Sequence, residues 1–148
     1  MAVREIAHDE VYKLEECLRQ LAEHHNEVSV NFKGCFPKKP YSESLAAFEQ
    51  ALLSGKSKIA VIEEDGRVAG FSKTDCIGVE GHIDILIVLK ECRGKGYGKQ
   101  LMDWAVNTLE KDGAVRIEIR VVDGNDAKSF YERYGFRTVS EILRSDFK

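Results

Sequence analysis

Long apolar runs are missing from this chain: the longest, Ile85 to Leu89, is far too short to span a bilayer. The opening Met1-Ala2-Val3-Arg4-Glu5 lacks the apolar stretch of a secretory signal. Metal-binding spacings are missing too. Cys17, Cys35, Cys76 and Cys92 form no Cys-x-x-Cys pair, and none stands at ligand spacing from a histidine. His24 and His25 are adjacent, so on a helix their rings diverge rather than converge on one ion. No metal is expected. Nor is there an excess of positive charge: the formal net charge is -3, which argues against general affinity for nucleic acid or anionic membrane. The expected setting is the cytoplasm, with reduced thiols.

What is present is enough for one compact domain over residues 1–148, with 43% hydrophobic residues and a core that needs no disulfide or metal. Val3 to Ile6 reads as a short strand. After Asp9, a helical repeat of Val11, Leu14, Leu18, Leu21 and Ala22 predicts a helix ending near His25-Asn26. Both prolines, Pro37 and Pro40, fall in a loop, and Ser42 or Ser44 can cap a second helix that Gly55 ends. The period then changes to two. Lys58 to Ile62 and Val68 to Thr74 read as a hairpin across Asp65-Gly66, and a link at Gly78 to Gly81 leads to a buried strand, Ile83 to Leu89. Leu101, Trp104, Ala105, Thr108 and Leu109 mark a long amphipathic helix that Asp112-Gly113 stops. Ile117, Ile119 and Val121 alternate with charges in a half-exposed strand. A short helix over Ala127 to Tyr134 and a last strand from Phe136 to Leu143 follow. The order predicts an α+β fold: a mixed, mostly antiparallel sheet with helices on both faces.

The chemistry concentrates where the apolar strand enters Arg93-Gly94-Lys95-Gly96-Tyr97-Gly98-Lys99 and a helix begins. Glycines let backbone approach a ligand closely, and the first amides of a helix point outward without internal partners. With Arg93, Lys95 and Lys99 beside them, these amides make a socket for a pyrophosphate. A P-loop is excluded, because Gly98-Lys99 is followed by Gln100 and the preceding spacing is too short. The dinucleotide pattern fails as well: counted from Gly94 it meets Lys99, and counted from Gly96 it meets Leu101.

The remaining pattern, Arg93-x-x-Gly96-x-Gly98, resembles the acyl-CoA-binding motif of the GNAT family of N-acetyltransferases. A second segment, with Ala127, Phe130-Tyr131 and Gly135-Phe136, resembles the family's C-terminal motif in the right order. One departure is that Gly124 stands where the family usually has asparagine, with Asn125 a residue later. The resemblance implies an enzyme that binds acetyl-CoA and passes the acetyl group to a primary amine by direct attack in a ternary complex. It implies cofactor contacts from Leu86, Ile87 and Val88, from Arg93, Gly94, Lys95, Gly96, Tyr97, Gly98 and Lys99, and from Asn125, Lys128 and Tyr131. The strand at Leu86 to Val88 should splay from its neighbour. Tyr131 matches the general acid. Asp84 is either the general base or a strand carboxylate paired with a lysine or arginine, and His82 competes with it. The acceptor site falls between Leu21 and Tyr41, including His24, His25, Asn26, Phe32 and Phe36. The acceptor is expected to be a small molecule, and a homodimer is possible. The alternative is a non-catalytic acyl-CoA-binding or sensing domain, which needs neither Tyr131 nor Asp84.

Overall fold

The computed structural model describes residues 2–122 and 124–147. Its sheet has five strands in the order β1 (Arg4–Glu5), β2 (Ser57–Glu64), β3 (Arg67–Ile77), β4 (Glu80–Val88) and β5 (Arg116–Ile119). The first three pairings are antiparallel and the last is parallel. Four helices accompany it: α1 (Glu15–Val28), α2 (Tyr41–Leu53), α3 (Tyr97–Lys111) and α4 (Lys128–Glu132).

The β2–β3 hairpin closes on Asp65 and Gly66, both with positive φ (53° and 79°), as a two-residue turn of primed type requires. Consecutive residues are buried along Ile59–Ile62 and Val68–Thr74, so both faces of β2 and β3 are covered. The α3 stripe enters the core through Leu101, Met102, Ala105 and Leu109, all fully buried. Each contributes in proportion to its apolar area, a leucine about 1.5–3 kcal/mol. Trp104 lies at the stripe's edge, half-buried, with its indole N–H directed at Glu5. No helix of the described residues is long and apolar enough to cross a membrane.

Several boundaries differ from the sequence reading. A tight 3-10 turn over His8–Leu14 precedes α1, which runs on to Val28 instead of stopping at Asn26. Helix α2 begins directly after Pro40, with no side-chain cap from Ser42 or Ser44. Glu80 belongs to β4, paired with Ile77, and is not hairpin loop. Strand β5 stops at Ile119, short of Val121. The expected strand Phe136 to Leu143 does not form: residues 137–147 have no regular structure. Val139 and Ile142 are 91% and 79% exposed, and Leu143 is 90% exposed. Among the described residues no strand pairs with this segment, and its apolar side chains are left in solvent.

Candidate active site

The site begins with a failure of strand pairing. Strands β4 and β5 pair only from Glu80↔Arg116 to Ile83↔Ile119. Beyond that point β4 continues through Asp84–Val88 with no β5 partner on that edge, so its backbone groups face an open cleft. The cleft starts at an irregularity on the other edge of β4. Thr74 pairs with Ile83 and Lys73 with Ile85, which leaves Asp84 as the extra residue of a β-bulge. Bulges bend a strand and re-aim its side chains, and here the bend lies at the mouth of the gap.

The glycine-rich turn closes one end of this cleft. Gly94 and Gly96 both have φ near +80° (82° and 83°), a conformation that favours glycine, and Gly96 is the residue from which α3 starts. No side chain caps α3, and its first internal hydrogen bond is Gln100 N–H to Gly96 O at 3.1 Å. The amides of Tyr97, Gly98 and Lys99 therefore project from the helix end with its partial positive charge. Gly98 has an ordinary helical backbone. A Cβ placed there would meet nothing nearer than Phe130 Cζ at 3.9 Å. Conformation does not require glycine here, and the missing side chain leaves the helix end open to close approach.

Helix α4 closes the other wall. Phe130, Tyr131, Tyr134 and Phe136 pack against Ile83, Met102 and Ala105, with ring centroids of Phe130 and Tyr131 5.5 Å apart and of Phe130 and Tyr134 5.3 Å apart. This aromatic cluster holds Tyr131 in the cavity wall. Burial raises its phenol above the ordinary tyrosine value, so it keeps its proton at neutral pH. Asn125 accepts through its side-chain oxygen from the Ala127 amide at 2.9 Å, closing a turn just before α4. Gly124 has φ +77°, and a Cβ there would overlap the Val28 carbonyl at the end of α1. That contact is why no side chain, asparagine included, fits at position 124.

One cavity of about 430 Å³ joins these parts. Asp84, Leu86, Ile87, Val88, Arg93, Gly94, Gly96, Tyr97, Gly98, Asn125 and Tyr131 all line it. Lys95, Lys99 and Lys128 do not. Lys95 binds Glu64 at 2.7 Å, and Tyr97 donates to the same carboxylate at 2.6 Å, which holds Glu64 below the usual carboxylate range. Lys99 pairs with Asp103 one turn on, at 2.9 Å. Arg93 donates to Val88 O at 3.3 Å, tying the turn to the end of β4. Asp84 accepts from Lys73 at 3.0 Å, and Lys73, only 6% exposed, also holds Asp75 at 2.9 Å and lies over the Phe48 ring. The ion-pair alternative for Asp84 is thus realised in the structure. His82 does not line the cavity, whereas His24 and His25 do, leaning over it from α1. The sequence reading missed Ile119, Arg120 and Val122 as cavity wall. Their available signal was the crossover through α3, which sets β5 parallel beside β4.

A splayed strand pair, a glycine-opened helix end and a partly buried tyrosine are the parts that an acyl-transfer site needs. Comparison with known proteins agrees: the family model of the acetyltransferase (GNAT) domain matches residues 14–146. The chain belongs to the GNAT acetyltransferase family. It is 34% identical to N-alpha-acetyltransferase 30 of Schizosaccharomyces pombe over 67 residues, 45% of each chain. It spans about half the length of the curated relatives it matches. Its fold is that of a mutant BH1408 protein from Bacillus halodurans (TM-score 0.82, 20% identity, covering 100% of both chains). The PaiA N-acetyltransferase of Thermoplasma acidophilum, solved with coenzyme A, is also similar (TM-score 0.78, 19% identity, covering 95% of this chain and 91% of that one).

Proposed function

We infer that this protein is an acetyl-CoA-dependent N-acetyltransferase acting in the cytoplasm on a primary amine of a small molecule, by direct attack in a ternary complex. The observation that carries this is the unpaired edge of β4 opening onto the bare first turn of α3. The residues fit the cofactor. The free amides at Tyr97–Lys99 suit a pyrophosphate, the open face of Gly98 admits it closely, and the Asp84–Val88 edge has backbone groups to spare for an amide-bearing arm. Bound there, acetyl-CoA supplies an acetyl group already activated as a thioester.

The chain's own residues do the rest. Unpaired backbone donors on β4 hold the thioester carbonyl in a cleft of low dielectric, where such bonds are strong. Tyr131, protonated at neutral pH, sits in the wall as the proton donor for the departing sulfur. A Glu–Lys and Tyr–Glu pair anchors the turn from behind through Glu64.

The test is calorimetric titration with acetyl-CoA, using ATP and NAD as controls, followed by thiol-release assays on a panel of amines. The panel includes alkylamines, polyamines, amino sugars and, because of the N-alpha-acetyltransferase relative, short peptides with free N-termini. Selective micromolar binding, about 8 kcal/mol, with amine-dependent thiol release supports the reading. Binding without release from any amine favours a sensing domain, and no binding at all removes the cofactor assignment. Size-exclusion chromatography with light scattering tests the homodimer.

A further inference from the structure

Among the described residues the site has an acid in Tyr131, while its carboxylates are paired or exposed. Asp84 is held by the buried Lys73 at 3.0 Å, so taking up a proton there would break its ion pair and leave the buried Lys73 with Asp75 alone. Asp126 lines the cavity but is exposed at its rim, and the Cys92 thiol is buried with the Arg67 guanidinium 3.9 Å from its sulfur. Helix α1 offers something different. His25 is half-buried, lines the main cavity, and also lines a neighbouring apolar cavity of about 110 Å³; Leu21 is the other residue common to the two. Its ring meets the Phe36 ring edge-on at 5.1 Å. Its ring centroid lies 6.5 Å from that of His24.

The placement is built. Asn26, the next residue on α1, accepts from Gly34 N–H at 2.9 Å and Phe36 N–H at 3.1 Å, and donates to Phe36 O at 2.8 Å. One side chain thus fixes the loop that holds Phe36 against His25. On the far side, the Gly124 contact with Val28 docks the end of α1 onto the β5–α4 connection.

We propose that His25 is the base that takes the proton from the incoming ammonium group at the mouth between the two cavities. This rests on the acetyltransferase reading. An N–H bond of the alkylammonium breaks and its proton passes to a His25 ring nitrogen. The freed amine nitrogen forms the C–N bond to the acetyl carbon as the C–S bond breaks. The thiolate takes the Tyr131 proton, Tyr131 regains one from the same nitrogen, and His25 releases its proton to water. The groups around the ring favour the neutral, accepting form. Burial lowers the affinity of His25 for a proton, and His24 on its own helix and Lys38 on the loop act in the same direction. Tyr41 of α2 faces it across the small cavity, while Asp84, Arg93, Arg120 and Asp126 share the large one. His25 is therefore neutral at pH 7, and activity on an ammonium substrate falls as pH drops below the ordinary histidine value of about 6.5.

Ethylamine and trifluoroethylamine separate this role from a structural one, because they have similar shapes and only ethylamine is protonated at neutral pH. With saturating acetyl-CoA, His25→Gln should lower kcat/KM for ethylamine about 100-fold while leaving trifluoroethylamine close to the wild-type rate. Acetyl-CoA affinity should be unchanged. His8→Gln, at a surface histidine beside Glu49 and outside the cavity, should leave both amines near wild type. Equal losses on the two amines, or the selective loss appearing in His24→Gln instead, overturns the proposal. If His25→Gln does not fold, the wild-type profile decides. An acid limb for ethylamine through a single ionisation below about 6.5 supports it, and a profile flat through that range overturns it. Wild-type protein that binds acetyl-CoA and acetylates neither amine nor any of the panel fails at the earlier reading, and the base assignment falls with it.

Discussion

Gly98→Ala isolates the cofactor-binding role of the α3 terminus from its folding role. The added methyl group would lie 3.9 Å from Phe130 Cζ, an ordinary contact, on a backbone already helical. Alanine is the better helix former by roughly 0.5–1 kcal/mol, so the variant should melt at or slightly above the wild-type temperature. The same methyl group stands over the amides that would meet the pyrophosphate. Losing one hydrogen bond to a charged group is worth about 1.5–3 kcal/mol, or a rise of roughly 10–150-fold in the Kd for acetyl-CoA. Gly96→Ala gives the converse. Its φ of 83° holds alanine in the left-handed region, which destabilises by about 1–2 kcal/mol and lowers Tm by about 2–8 °C. Differential scanning fluorimetry and isothermal calorimetry read both quantities. Wild-type acetyl-CoA affinity in a well-folded Gly98→Ala protein would refute the placement of the phosphates at the first turn of α3.

Tyr131→Phe should lower kcat about 100-fold and leave acetyl-CoA affinity unchanged. Because burial raises the Tyr131 phenol, wild-type kcat should show no alkaline decline from it below about pH 10; a decline that vanishes in Tyr131→Phe contradicts this. Lys73→Met removes a buried cation from between Asp75 and Asp84. It should cost about 3 kcal/mol, the lower end for a broken buried pair because Asp84 is half-exposed, and an unchanged urea midpoint counts against that ion pair's weight. Glu10 is held at about 2, against an ordinary 4.5, first by the Ala7 amide and then by Lys13 and Arg4. Its folded value is the lower one, so its contribution is full above 4.5 and is lost as pH falls toward 2. The difference in urea midpoint between wild type and Glu10→Gln should shrink over that window.

Elements whose cause lies within a few residues were legible from the chain. The Asp65-Gly66 hairpin, the Gly55 and Gly113 helix ends and the glycine-opened start of α3 each follow from local backbone conformation, which neighbouring residues dictate. The long stripe of α3 was equally plain, since a 3.6-residue period over four turns has one buried solution. The terminal segment was not, because Val139 and Leu143 fit one strand face while sequence alone gives no partner to bury them. The cleft itself belongs to tertiary structure. Pairing of β4 with β5 ends at Ile83 and Ile119 through strand bending at the Asp84 bulge, an event shared by three strands and visible in none of them alone. The fate of Asp84 was decided likewise by Lys73, which reaches it from a neighbouring strand, and that of His25 by Asn26 holding Phe36 across a loop. Sequence named the residue types that acyl transfer needs. Which carboxylate is neutralised, and which ring lines the cavity, depends on contacts between residues far apart in the chain, where only packing brings charges close enough to interact.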